Sequence, residues 1–95
     1  MDAPHNTIAI TLLTQAHCTY CDQAKETLGR LAADFPIAVS TLDLASPKGQ
    51  ALAEGNGVLF PPGIFLDGEP FSYGRPSEKK LRRELERRVA QRRHE

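Results

Sequence analysis

A chain of 95 residues, 40% apolar and 25% charged, has room for one modest domain, which at this size buries roughly 60–65% of the surface its unfolded form exposes. This composition excludes a disordered or membrane-embedded protein. The formal charge is zero but unevenly laid out: residues 1–74 hold 3 basic and 8 acidic side chains, residues 75–95 hold 9 and 4.

Residues 1–6 open with an acid and a proline and read as a tail on a single domain spanning 1–95. The apolar run that follows, Ile8 to Leu13, is too short for a signal peptide or a membrane span, so a cytoplasmic location is expected. Residues 7–14 are rich in β-branched side chains and apolar on both faces, which predicts a strand buried inside a sheet. From Cys18 to about Ala33, Ala24, Leu28 and Leu31 recur at helical spacing, with Asp22 and Glu26 in the early turns and an unfavourable Gly29 inside. Pro36 ends this helix, and residues 37–44 form a second strand parallel to the first.

Ser46 and Pro47 provide an N-cap and a first-turn proline for a short helix over 47–54, which stops at Gly55-Asn56-Gly57. Beyond Pro61-Pro62, the runs 63–66 and 69–73 are joined by Asp67-Gly68, a strong signal for an antiparallel hairpin. Ser77 caps a last helix that packs through Leu81, Leu85 and Val89, with Glu84 four residues before Arg88. Acids interrupt this basic stretch and no aromatics are interleaved, so a solvated face with at most a partner-docking role is expected, rather than a nucleic-acid surface. The whole reads as an α/β fold in the order β-α-β-α-β-β-α, built on a mixed four-stranded sheet.

Cys18 and Cys21 are the only cysteines. Three residues apart on a helix, their α-carbons fall about 5 Å from each other, within the range a disulfide needs. Cys18 stands where strand gives way to helix, facing unpaired backbone N–H groups that lower a thiol pKa. It is therefore the candidate nucleophile, and Cys21 the resolving thiol. A structural pair of buried thiols and half of a zinc site are the alternatives. Zinc sites usually draw four protein ligands, and His5, His17 and His94 are not spaced to make a second binding pair. A Cys-x-x-Cys beside a strand-helix-strand pattern is a redox signature.

The run at 12–21, Leu-Leu-Thr-Gln-Ala-His-Cys-Thr-Tyr-Cys, and that at 62–68, Pro-Gly-Ile-Phe-Leu-Asp-Gly, resemble the glutaredoxins. The resemblance spans about Thr7 to about Val89 and implies a thioredoxin-like three-layer fold. It also implies a thiol-disulfide oxidoreductase needing no bound cofactor or metal. Tyr20 matches the tyrosine of the family's active-site quartet, while Thr19 stands where proline is usual. By the same resemblance Pro62 is a cis proline lying against the cysteines. Pro61 then occupies the place whose backbone N–H and C=O receive the substrate main chain, and Gly74 and Arg75 belong to the substrate-binding turn.

Departures from the family bear on the electron source. Gln15 replaces the basic residue that glutathione-binding members carry before the first cysteine. Ser72-Tyr-Gly-Arg-Pro-Ser77 replaces their Gly-Gly and Cys/Ser/Thr-Asp. The Gly-Arg-Pro stretch is similar instead to glutaredoxin-like redoxins that serve ribonucleotide reductase and draw electrons from thioredoxin reductase. Leu12 stands where thioredoxins proper place a buried acid. His17, beside Cys18, either tunes the thiol or faces solvent. The expected protein is thus a monomeric reductase of protein or small-molecule disulfides, fed by thioredoxin reductase or glutathione. In the rival reading the same cysteines hold a metal or an iron-sulfur cluster shared between two chains.

Overall fold

The first strand lies inside the sheet, as its apolar residues on both faces require. β1 (Ile8–Thr14) pairs in parallel with β2 (Ile37–Asp43) and antiparallel with β3 (Gly63–Leu66), which pairs antiparallel with β4 (Glu69–Tyr73). The sheet order is β2-β1-β3-β4. Helices α1 (Thr19–Ala32), α2 (Pro47–Gly55) and α3 (Glu78–Arg92) complete the order read from the sequence. The computed structural model describes residues 7–92; the expected tail at 1–6, His5 and His94 lie outside the described residues.

Alternation along β1 and β3 divides the core into two layers. Ile8, Ile10 and Leu12 join Ile64 and Leu66 against Ala24, Leu28 and Leu31 of α1 and Leu81 and Leu85 of α3. On the other face Leu13 and Phe65 meet Ala53 of α2, with Leu42, Leu52 and Val58 around them. Each fully buried leucine contributes about 1.5–3 kcal/mol of transfer free energy, so the narrow stripe on α3 suffices to hold an otherwise highly charged helix. The result is the three-layer arrangement of a thioredoxin-like fold.

Local signals explain the element ends. Ser46 accepts a hydrogen bond from the Gly49 N–H at 3.0 Å, and Gly49 is there because a β-carbon would lie 2.1 Å from the Asp43 carbonyl oxygen. Ser77 accepts from the Lys80 N–H at 3.3 Å. Asp67 and Gly68 both adopt positive φ, 51° and 84°, as a two-residue hairpin turn matched to the sheet's twist requires. Pro70 falls on β4, an edge strand, where a missing N–H is tolerated.

The basic face of α3 is less solvated than its composition predicts. Glu78 and Arg82 pair with Arg30 and Asp34 of the α1 region at 2.7 and 2.9 Å. Arg88 reaches Glu69 at 3.1 Å, and Arg92 pairs with Asp67. Long arginine side chains reach acids on neighbouring elements, a cross-connection that sequence spacing within one helix does not reveal.

Candidate active site

The loop after β1 ends in a left-handed residue, His17 (φ 57°), and delivers Cys18 to the cap of a helix. Cys18 is extended (φ −119°, ψ 105°) and acts as N-cap, so α1 begins at Thr19, one residue later than periodicity predicts. Its Sγ accepts a hydrogen bond from the Cys21 N–H at 3.1 Å, filling with sulfur the place a serine oxygen often takes. Cys18 and Cys21 are joined in a disulfide with α-carbons 5.2 Å apart.

The two sulfurs differ in access. Cys21 is 1% exposed, beneath the first turn of α1, whereas Cys18 is half-buried at the surface. The helix N-terminus and its N–H groups stabilise negative charge on whichever sulfur stands there. Leu12 is fully buried in the apolar layer, so β1 carries no carboxylate at that position.

Register brings the remaining sequence-selected residues to this end of the sheet. Leu13 pairs with Gly63, and Gly63 with Tyr73, so Pro61 and Pro62 precede β3, and Gly74 and Arg75 follow β4, at the level where β1 hands over to the cysteine loop. The Pro61-Pro62 bond is cis, and Pro62 is fully buried. The Gly74 N–H donates to the Pro62 carbonyl at 2.8 Å, tying the two turns together. Tyr20 stands exposed on the first turn of α1.

Two features escaped the sequence reading. Leu59 and Phe60 are exposed apolar residues beside the proline pair. The Phe60 ring packs edge-on to Tyr73, centroids 5.2 Å apart, and over Gly74. The Leu-Phe pair before two prolines was visible as text, but the contact with residues 73 and 74 is made only by the fold. Thr14, last in β1, buries a hydroxyl that has no hydrogen-bond partner among the described residues. A threonine at a strand end carries no signal for that.

Among the described residues no group of three or more His, Cys, Asp and Glu side chains is placed to hold a metal, and no helix is long and apolar enough to cross a membrane. No protein-family model and no curated protein matches the sequence. Solved structures do match. A mutant thioredoxin from Halobacterium salinarum NRC-1 superposes with a TM-score of 0.68 at 26% identity, over 88% of this chain and 76% of that one. A malarial protein gives 0.65 at 19% identity, over 88% and 99%. Glutaredoxin 1 from Francisella tularensis, solved with cacodylate, gives 0.50 at 20% identity, over 87% and 98%. The element order, the mixed sheet and the disulfide-forming Cys18–Cys21 pair at the start of α1 give this chain a thioredoxin-like fold, similar to those structures.

Proposed function

We propose that the protein is a dithiol-disulfide reductase of protein or small-molecule disulfides. The observation that carries this reading is the asymmetry of the joined pair: Cys18 is accessible at a helix N-terminus and Cys21 is 1% exposed behind it. In the reduced protein the Cys18 thiolate attacks one sulfur of a substrate disulfide and expels the other as a thiolate, leaving a mixed disulfide. The Cys21 thiolate then attacks the Cys18 sulfur, which releases the second substrate thiol and closes the Cys18–Cys21 bridge. Two electrons pass to the substrate, and thioredoxin reductase or glutathione restores the dithiol.

Substrate main chain is received at the Pro61 carbonyl and Pro62, flanked by Tyr20 and by the Gly74-Arg75 turn, all at one end of the sheet. The absence of the basic and Gly-Gly contacts that hold glutathione in relatives favours thioredoxin reductase as reductant; that the protein acts as a cytoplasmic monomer is part of the same proposal. Reduction of insulin and of hydroxyethyl disulfide, run in parallel with thioredoxin reductase and with glutathione, tests this reading. Turnover with the first reductant is expected. Failure to reduce either disulfide after dithiothreitol treatment, or a coloured, metal-bearing purified protein, would overturn it in favour of the metal or cluster module.

A further inference from the structure

The cations of α3 and its approach fall into two sets. Arg82, Arg87, Arg88 and Arg92 each have a carboxylate within 3.4 Å. Arg75, Lys79, Lys80 and Arg83 have none among the described residues, and three of these, Arg75, Lys80 and Arg83, converge on one groove of about 560 Å³ between β4 and the first half of α3. Its one lining acid, Glu84, is already held by Arg87 and Arg88 at 2.6 and 2.7 Å. The groove therefore keeps three uncompensated positive charges in a concave wall, which concentrates field lines more than the same charges on a convex surface.

Three further observations identify what fits there. β4 is the edge of the sheet, so one side of its backbone carries peptide groups unpaired by any strand among the described residues, a template for an extended polypeptide. The aromatic rings are committed: Phe71 packs against the core and Tyr73 stands against Phe60. Only Tyr73 among the groove's lining rings is exposed, and it is already in contact with Phe60, so the groove lacks the succession of ring faces on which single-stranded nucleic acid stacks. The groove also opens at Arg75, one residue from Gly74, whose N–H is bonded to the Pro62 carbonyl, so an occupant reaches the end of the sheet at which β1 hands over to the cysteine loop.

We propose that this groove docks an extended, carboxylate-bearing segment of the protein whose disulfide is reduced, holding it along β4 while the disulfide meets Cys18. The docking of an acidic peptide stands on the groove alone; that it belongs to a disulfide substrate rests on the reductase reading above.

The probe is a fluorescein-labelled, cysteine-free peptide of about nine residues with three aspartates, against the same peptide with asparagines, followed by anisotropy at low and high salt. The acidic peptide is expected to bind at least tenfold more tightly, with affinity falling as salt rises. Lys80→Glu with Arg83→Glu should abolish that preference, and Arg87→Gln, which removes an already paired cation, should not. If the double reversal lowers the melting temperature, Lys80→Gln with Arg83→Gln serves in its place. Equal binding of both peptides, indifference to the double variant, or tighter binding of an oligothymidylate of equal charge would overturn the proposal. A disulfide-cyclised acidic peptide should likewise lose kcat/KM in the double variant, with hydroxyethyl disulfide turnover unchanged. If hydroxyethyl disulfide is not reduced at all, the reductase reading fails while anisotropy still decides the groove. If turnover persists without peptide preference, the groove fails alone.

Discussion

A β-carbon on Gly74 would lie 2.7 Å from Cε2 of Phe60: the ring is seated on a residue with no side chain, at φ +82°, a conformation that disfavours any other residue. Gly74→Ala should therefore lift Phe60 away from Tyr73 and cost about 1–3 kcal/mol, combining backbone strain with the displaced ring. Urea unfolding measures the loss. Phe60→Ala in the same background should remove part of the penalty, a non-additivity expected only where the two residues touch. An unchanged urea midpoint would show that the ring is not seated there.

The reduced protein should alkylate first at Cys18, because Cys21 is buried behind it. Mass spectrometry after brief iodoacetamide treatment at mildly acidic pH reads the order, and equal labelling would contradict the assigned roles. Cys21→Ser should accumulate a mixed disulfide through Cys18, since attack survives and resolution does not.

Pro61 has no N–H to offer a substrate backbone, so one of the two rungs expected beside Pro62 is missing. The deficit is about 0.5–1.5 kcal/mol, up to about tenfold in affinity. Pro61→Val, with Pro62 kept, should tighten glutathione or peptide binding by that factor and leave the labelling rate of Cys18 unchanged. Unaltered glutathione-dependent turnover would place the substrate elsewhere.

Hydrogen bonds from Arg87 and then Arg88, opposed by burial, hold the Glu84 carboxyl down to about 2 from the ordinary 4.5. A carboxylate with a depressed folded pKa contributes stability above its unfolded pKa and loses it as pH falls through the folded one. The contribution should be full above about pH 5 and fade between 4.5 and 2; after screening by solvent it amounts to about 1–2 kcal/mol. Glu84→Gln should flatten that part of the pH-stability curve. Arg88→Gln should cost more than Arg87→Gln, because Arg88 is the less exposed and serves Glu84, Glu69 and Asp67 together.

Thr14→Val preserves shape and removes the unpartnered hydroxyl. If that hydroxyl is only an orphan, the variant should be neutral or more stable by about 1 kcal/mol. A loss of stability, or slower resolution of mixed disulfides with unchanged Cys18 labelling, would show that it serves the dithiol once the bridge opens.

The features legible in sequence were those governed by neighbours along the chain. Asp67-Gly68 declared its turn because two positive φ angles are needed there; Ser46 and Ser77 declared their helices through N–H groups three residues on; Cys18 and Cys21 declared by their spacing that a disulfide could join them. What stayed hidden depends on residues far apart in the chain. Nothing local to Asp67 announces that its carboxylate receives Arg92, and nothing local to Phe60 announces Gly74. The division of the basic cations into paired and unpaired sets likewise requires knowing which acids lie opposite, which composition cannot supply.

Asp67 also joins β1 at the end remote from the cysteines, where its N–H donates to the Ala9 carbonyl at 2.7 Å and its Oδ1 accepts from the Ala9 N–H at 3.0 Å. Arg92 extends the clasp by donating to the Thr7 carbonyl at 2.7 Å. A seven-residue strand spans about 20 Å, well past the distance at which substitutions usually stop influencing one another. The molecule thus has a mechanical end and a chemical end on one shared beam. A lineage of such chains can exchange its fastening arginines without retuning the thiols, and can rewrite the cysteine loop without loosening the fastening.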